Sequence, residues 1–398
     1  MRRVSSGSAG AIAVSVVIAC LTPQAALAIP AFARRTEMAC TACHQGHFPQ
    51  LNALGRLYRE NGYQLPDGAE AVLRAKAGTG VEGFLASVPL SARGQVYGLV
   101  PIDVEEGAAP AAVSVLSYVM GGGSIVKDVS YFFSWTPFPQ PMLHHARVGV
   151  HNLLADTLGG GSLNVRAGSF FLLDFQRPGH RHLFAAPAAA TSVKVGRNSF
   201  DLEDANLGIE AYGRPLWGPF HYELAVVAGD LGGGLERDNW KDVFARASYT
   251  LFQNTDHELG IGAFGYLGRA ELKTTMADLI IAQRDDFWVG GGDAELDLGP
   301  VNLFATAYAS RHADPDLDGV PVLFGAARGE ALWTVTSSWV GALRYELVVA
   351  DDVALNANQA SVHVSYVLAP NALLSLGWRH DLQDWTRSSA LAGFDGAF

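Results

Sequence analysis

From about Ser87 onward the chain is a succession of short runs in which apolar and polar residues alternate, separated by clusters of Gly, Pro, Asn and Asp. A period of two sends successive side chains to opposite faces of an extended strand, so each run reads as β-structure between two environments. The runs are Val88 to Val100, Ala112 to Met120, Ser162 to Leu172, Leu207 to Arg214, Tyr222 to Val227 and Val243 to Leu251. They continue through Glu258 to Arg269, Phe287 to Leu298, Val301 to Arg311, Gly329 to Thr336, Ser338 to Val348, Gln359 to Val367 and Ala372 to His380. In Val301 to Arg311, for example, Leu303, Ala305, Ala307 and Ala309 oppose Asn302, Phe304, Thr306, Tyr308 and Ser310. Gly299-Pro300 and Pro370-Asn371 suit tight turns at one end of a sheet, whereas Asp174 to Thr191 and Ala313 to Leu323 suit longer outer loops.

Alternation alone also fits a soluble sandwich or propeller. Composition separates the cases. Hydrophobic residues make up 49% of the chain, only 17% are charged, and glycine is abundant at 44 of 398 residues. Yet beyond the first residues no apolar stretch is long enough for a membrane helix. A closed barrel crosses lipid without one, because every backbone polar group is paired between strands. The expectation is therefore a mainly β protein, a transmembrane antiparallel barrel of about 16 strands over residues 87–398. The terminal Phe398 matches the aromatic end of such barrels only imperfectly.

The first residues supply the export route that such a barrel needs. Arg2 and Arg3 form a positive n-region, Ala11 to Leu21 an apolar h-region, and Ala26-Leu27-Ala28 a small-residue cleavage site, giving a signal peptide over residues 1–28. A lipoprotein reading through Cys20 competes with this, but the alanine-rich stretch lies at the usual distance from the h-region. Cleavage after Ala28 removes one of the three cysteines and leaves Cys40 and Cys43. The formal charge of −11 loses Arg2 and Arg3 with no acids, and becomes −13. Such an acidic chain argues against a nucleic-acid partner and is compatible with attraction of cations.

Cys40-Thr41-Ala42-Cys43-His44 is a CxxCH motif, the attachment site of a c-type haem. The two thiols form thioethers to the porphyrin, and the adjacent imidazole of His44 ligates the iron. A zinc site from Cys40, Cys43, His44 and His47 is the weaker reading, since structural zinc usually joins two separated pairs. His47 and Met38 are both candidates for the sixth iron ligand, beside a barrel residue or an open site, and Met38 would raise the potential relative to bis-His ligation. The other histidines, including His144, His145, His180 and His182, read as loop or lumen residues.

Residues 29–86 form a small helical head and linker. Gln50 to Glu60 reads as a helix with Pro49 at its first position and Asn61-Gly62 as its stop. Leu51, Leu54 and Tyr58 share one face, and Arg56 and Arg59 lie away from it, available to haem propionates or solvent. A head this small needs the buried surface of an attached haem to fold.

Ile29-Pro30-Ala31-Phe32-Ala33-Arg34, Met38, CxxCH, His47-Phe48-Pro49, Leu51-Asn52, Gly55-Arg56 and Asn61-Gly62-Tyr63 together resemble the fused cytochrome–porins of bacterial outer membranes, including the monohaem cytochromes of extracellular iron(II) oxidation. The match covers about 35 residues of the head; the body is similar only in length and strand-like texture. This resemblance implies one covalent haem c in front of a barrel in the outer membrane. It implies an electron conduit between an extracellular donor, Fe(II), and a periplasmic carrier such as a soluble cytochrome c. An iron(II):cytochrome c oxidoreductase activity would follow. A diffusion porin with a haem-bearing plug, and a conduit running outward, are the alternatives.

Asp314-Pro315-Asp316-Leu317-Asp318-Gly319 begins like a calcium loop, but the twelfth position is Gly325 where the motif needs Glu, which excludes an EF-hand. It reads as an acidic loop, solvated or cation-attracting, as do Glu105, Glu106, Asp285 and Asp286.

Overall fold

The computed structural model describes residues 32, 36, 38, 42–44, 50–65, 90–101, 112–138, 141–176, 188–229, 240–254, 257–276, 279–369, 371–384 and 388–397. The signal segment 1–28, Cys40, His47, Pro49, Glu105, Glu106, His180, His182, Phe398 and the head–barrel boundary at 86/87 lie outside these residues.

A helix, α1 (Ala53–Glu60), precedes sixteen strands. The first eight are β1 (Leu90–Pro101), β2 (Ala112–Val126), β3 (Val129–Thr136), β4 (Met142–Val150), β5 (Asn164–Phe171), β6 (Ala205–Gly213), β7 (Phe220–Val227) and β8 (Asp242–Gln253). The others are β9 (His257–Met276), β10 (Leu279–Leu298), β11 (Val301–His312), β12 (Val322–Thr334), β13 (Trp339–Ala350), β14 (Ala357–Ala369), β15 (Ala372–Asp381) and β16 (Ser389–Ala397). Each pairs antiparallel with its sequence neighbour, and β1 closes the barrel on β16 from Arg93↔Ala397 to Pro101↔Ser389. Closure leaves no sheet edge.

Three strands escape the sequence reading. In β3, Tyr131-Phe132-Phe133 is apolar on both faces, because Phe132 meets the head inside the barrel. In β4 a register shift against Ser134 and Trp135 interrupts the alternation around His144. In β16, Ala390, Ala392, Gly393 and Gly396 make the apolar signal weak.

β2–β3, β8–β9, β10–β11, β12–β13 and β14–β15 follow one another after only a few residues, and these strand ends lie at one end of the barrel, the periplasmic end of such architectures. The outer wall is apolar. Leu303, Ala305 and Ala307 are exposed, while Asn302, Phe304, Thr306, Tyr308 and Ser310 are buried in the lumen. All seven described tryptophans are exposed. Phe220, Tyr249, Phe252, Trp333, Trp339 and Tyr366 ring the short-turn end, and Trp135, Trp240, Trp288 and Trp378 lie toward the other. Two such girdles around an apolar band mark a barrel embedded in an outer membrane.

Part of the lumen is filled by the chain itself. The β5–β6 connection was expected as an outer loop, but its described residues turn inward. Leu172, Leu173, Ala190, Val195, Phe200 and Leu202 pack on Phe244, Phe264, Tyr266, Phe287 and Tyr308 of the wall. The Tyr308 hydroxyl donates to Ala190 O at 2.6 Å and the Glu346 carboxylate accepts from Ala190 N at 3.0 Å. This packing explains why the inward face of β11 carries Tyr308. Asp285 is likewise no solvated acid. It is buried, accepts from Asn198 Nδ2 at 2.8 Å and from Asp314 N at 3.0 Å, and lies 2.7 Å from His312 Nδ1. Asp286 instead makes an exposed 2.5 Å ion pair with Arg269. In the 314–319 loop, Asp314 accepts from Gly319 N and Asp318 from Val320 N, so these carboxylates serve their own backbone.

Candidate functional site

The head occupies the short-turn mouth of the barrel. Asn52 opens α1, its side chain accepting from Gly55 N at 3.0 Å. The stop at Asn61-Gly62 is as expected. Gly62 is left-handed at φ +64°, Gly62 N donates to Arg59 O, and Tyr63 N donates to Tyr58 O at 2.8 Å. The helix is shorter than the predicted Gln50–Glu60, because Asn52 caps it and Leu51 is held in an antiparallel bridge with His44.

The predicted apolar stripe is broken as well. Tyr58 is buried, but Leu54 is 40% exposed and Leu51 lies outside the helix. The two arginines are not left to solvent; they reach the barrel wall. Arg56 Nη2 lies 2.6 Å from Glu258, and its Nη1 lies 3.6 Å from Glu295 and 3.9 Å from Asp297. Arg59 is 3.6 Å from Asp174, which also holds Arg147 at 2.8 Å and Arg166 at 2.7 Å. Glu60 pairs with Arg214 at 3.1 Å and its carbonyl accepts from the Tyr212 hydroxyl at 3.2 Å. A helix seated in a polar lumen buries its charges against opposite charges, which a stripe analysis for an apolar core does not foresee.

The electrostatics follow from this seating. Burial alone would raise the pKa of Asp174, but Arg147, Arg59 and Arg166 hold it well below the usual carboxylate range. Burial opposes ionisation of Glu60 too, yet His221 and Arg214 keep its pKa below the ordinary value. His151, in the link after β4, is pushed down to about 4 by burial. Beyond the helix, Tyr63 stacks on Phe132 at 5.7 Å and accepts from Arg147 at 3.1 Å, and Gln64 accepts from Asp128 N at 3.0 Å.

Of the sequence-predicted site residues, Cys43 and His44 lie against the start of α1. Asn52 N donates to Cys43 O and Asn52 Nδ2 to Ala42 O, both at 3.0 Å. A Cβ at Gly55 would sit 2.2 Å from Cys43 O, so only glycine lets the loop lie this close. His44 Nδ1 is 3.0 Å from Gln50 O. A carbonyl only accepts, so Nδ1 carries the proton and the lone pair lies on Nε2, the state of a metal-binding imidazole. The described residues therefore suit a covalent haem: Cys43 would supply a thioether and His44 Nε2 would ligate the iron. Met38 lies in the preceding segment, its N–H donating to Thr36 Oγ1 at 3.4 Å. Cys40 and His47 are outside the described residues. His145 is buried in the lumen, and His144 contacts Thr136 Oγ1 at 2.7 Å. Glu258, Glu295 and Asp297 have no motif of their own, and charges at inward strand positions were their one sequence signal; Asp174, Arg214 and His151 lie in links between strands, where no such signal exists.

No family model matches this chain, and no curated protein does. Solved structures do. Salmonella typhi OmpF in complex with daunomycin aligns with TM-score 0.54 at 11% identity, covering 78% of this chain and 97% of that one. A loop L8 deletion mutant of Vibrio cholerae OmpT gives 0.53 at 10% identity, covering 78% and 99%. The anion-selective porin from Comamonas acidovorans gives 0.51 at 14%, covering 78% and 99%. At these identities the likeness concerns the fold. Together with closure and the two aromatic girdles, it makes this chain a 16-stranded outer-membrane barrel of porin-like architecture.

Proposed function

We propose that the protein is an outer-membrane electron conduit, a monohaem cytochrome c head built into the periplasmic mouth of its own barrel. The observation that carries this reading is the pairing of the CxxCH segment with a seat in the wall. Cys43 and His44 are tied to α1, and α1 is tied to Glu258, Asp174 and Arg214. Cys40 and Cys43 would hold the porphyrin and His44 would ligate its iron, with Met38 or His47 as the sixth ligand. A bound haem supplies one-electron chemistry at the iron. The chain's own residues bind the head at the mouth and hold the His44 imidazole through Gln50 O. A haem held by this head would supply a one-electron step between a soluble periplasmic cytochrome and an external donor such as Fe(II). The activity would then be that of an iron(II):cytochrome c oxidoreductase.

Porin-like neighbours and a charged lumen also favour a second reading, a diffusion porin with a haem-bearing plug. Purified holoprotein in liposomes, with reductant outside and a cytochrome c acceptor inside, separates the two. Electron transfer that Cys43→Ala abolishes, with the barrel still inserted, supports the conduit. Solute conductance indifferent to Cys43→Ala, with no electron transfer by intact holoprotein, overturns it in favour of the porin.

A further inference from the structure

We infer that Asn52 is a positioning residue for the CxxCH residues Ala42, Cys43 and His44, clamping them to α1 so that His44 presents Nε2 in one fixed tautomer. The inference rests on the haem reading above and deepens it. Asn52 does three things at once. Its Oδ1 accepts from Gly55 N at 3.0 Å, its Nδ2 donates to Ala42 O at 3.0 Å, and its backbone N donates to Cys43 O at 3.0 Å. The amide accepts through Oδ1 and donates through Nδ2, two atoms that reach Gly55 and Ala42 separately; an aspartate cap only accepts, and a serine or threonine cap must do both from one short-armed oxygen. Gly55 completes the clamp by leaving room for Cys43 O.

The clamp bears on the imidazole directly. His44 follows Cys43, and its Nδ1–H points to Gln50 O, two residues before Asn52. If the loop lifts from the helix, that hydrogen bond opens. An imidazole that loses its Nδ1–H···O=C partner is a poorer electron donor to a metal, and the ferric state loses stabilisation. Loosening the clamp should therefore raise the potential of an attached haem and alter its ligand-sensitive bands.

Asn52→Asp separates the two roles. Aspartate is as good an N-cap, and its charge suits a helix N-terminus, but it has no N–H for Ala42 O and sets a carboxylate oxygen against that carbonyl. Full-length Asn52→Asp, extracted from outer membranes, is compared with wild type by haemochrome quantitation, visible spectrum and redox titration. The expected result is an upward shift of the midpoint and changed ferric bands, while amide exchange over Ala53–Glu60 stays as in wild type. Gly55→Ala, which pushes on Cys43 O from the other side, should produce the same shift. A midpoint and spectrum matching wild type in both variants would overturn the positioning role. A wild-type protein without covalent haem would instead sink the functional reading, so the two failures are told apart.

Discussion

Gly62→Ala tests the seating of the head at its tightest point. Gly62 sits at φ +64°, a conformation that costs an L-residue about 1–2 kcal/mol. A Cβ there would also lie 2.1 Å from His151 Nε2. That ring is only 3% exposed, with Nε2 2.7 Å from Ser130 Oγ and Nδ1 3.3 Å from the Tyr212 hydroxyl. Moving it strands buried polar groups at about 1–3 kcal/mol. Docking of the head should thus weaken by about 2–5 kcal/mol in all. In a His151→Ala background the steric part vanishes and only the backbone cost of about 1–2 kcal/mol remains. Amide exchange over Ala53–Glu60 in reconstituted protein reads the local opening free energy in all four members of the cycle. A coupling of about 1–3 kcal/mol is expected. Equal costs of Gly62→Ala in both backgrounds would mean that the head does not rest on the link after β4.

Three further outcomes follow from the same geometry. His151 has a folded pKa of about 4, depressed from 6.5, so docking strength is fully present above about 6.5 and falls as pH drops to about 4, by about 3 kcal/mol; opening of α1 measured across that window should flatten in His151→Gln, and an unchanged slope would refute the assignment. Asp174 is 0% exposed between Arg59, Arg147 and Arg166, so Asp174→Asn should cost about 3–5 kcal/mol in denaturant unfolding, and stability equal to wild type would show that the cluster is not ionised as drawn. Ala307 faces lipid near the middle of β11 while Thr306 faces the lumen, so Ala307→Arg should lower barrel stability by about 2–4 kcal/mol, and an equal or larger loss from Thr306→Arg in the same assay would reverse the assigned faces.

The period of two in residues such as 301–311 already implied strands with a lipid side and a lumen side, because inward and outward positions must alternate wherever one face is wet and the other oily. The absence of any long apolar span narrowed those strands to a closed barrel, and CxxCH pointed to the haem reading proposed above, since thioether and imidazole donors are local in sequence. Contacts between distant segments were not legible. Which carboxylate meets Arg56 depends on the register that sets Glu258 beside Asp297, and the burial of Arg59 depends on the β5–β6 segment bringing Asp174 inward. Leu51 looked helical until its bridge to His44 claimed it. Short-range pattern reports the local environment of each residue; closure of the barrel, and the filling of its interior by the chain's own head and loop, decided which charges became partners.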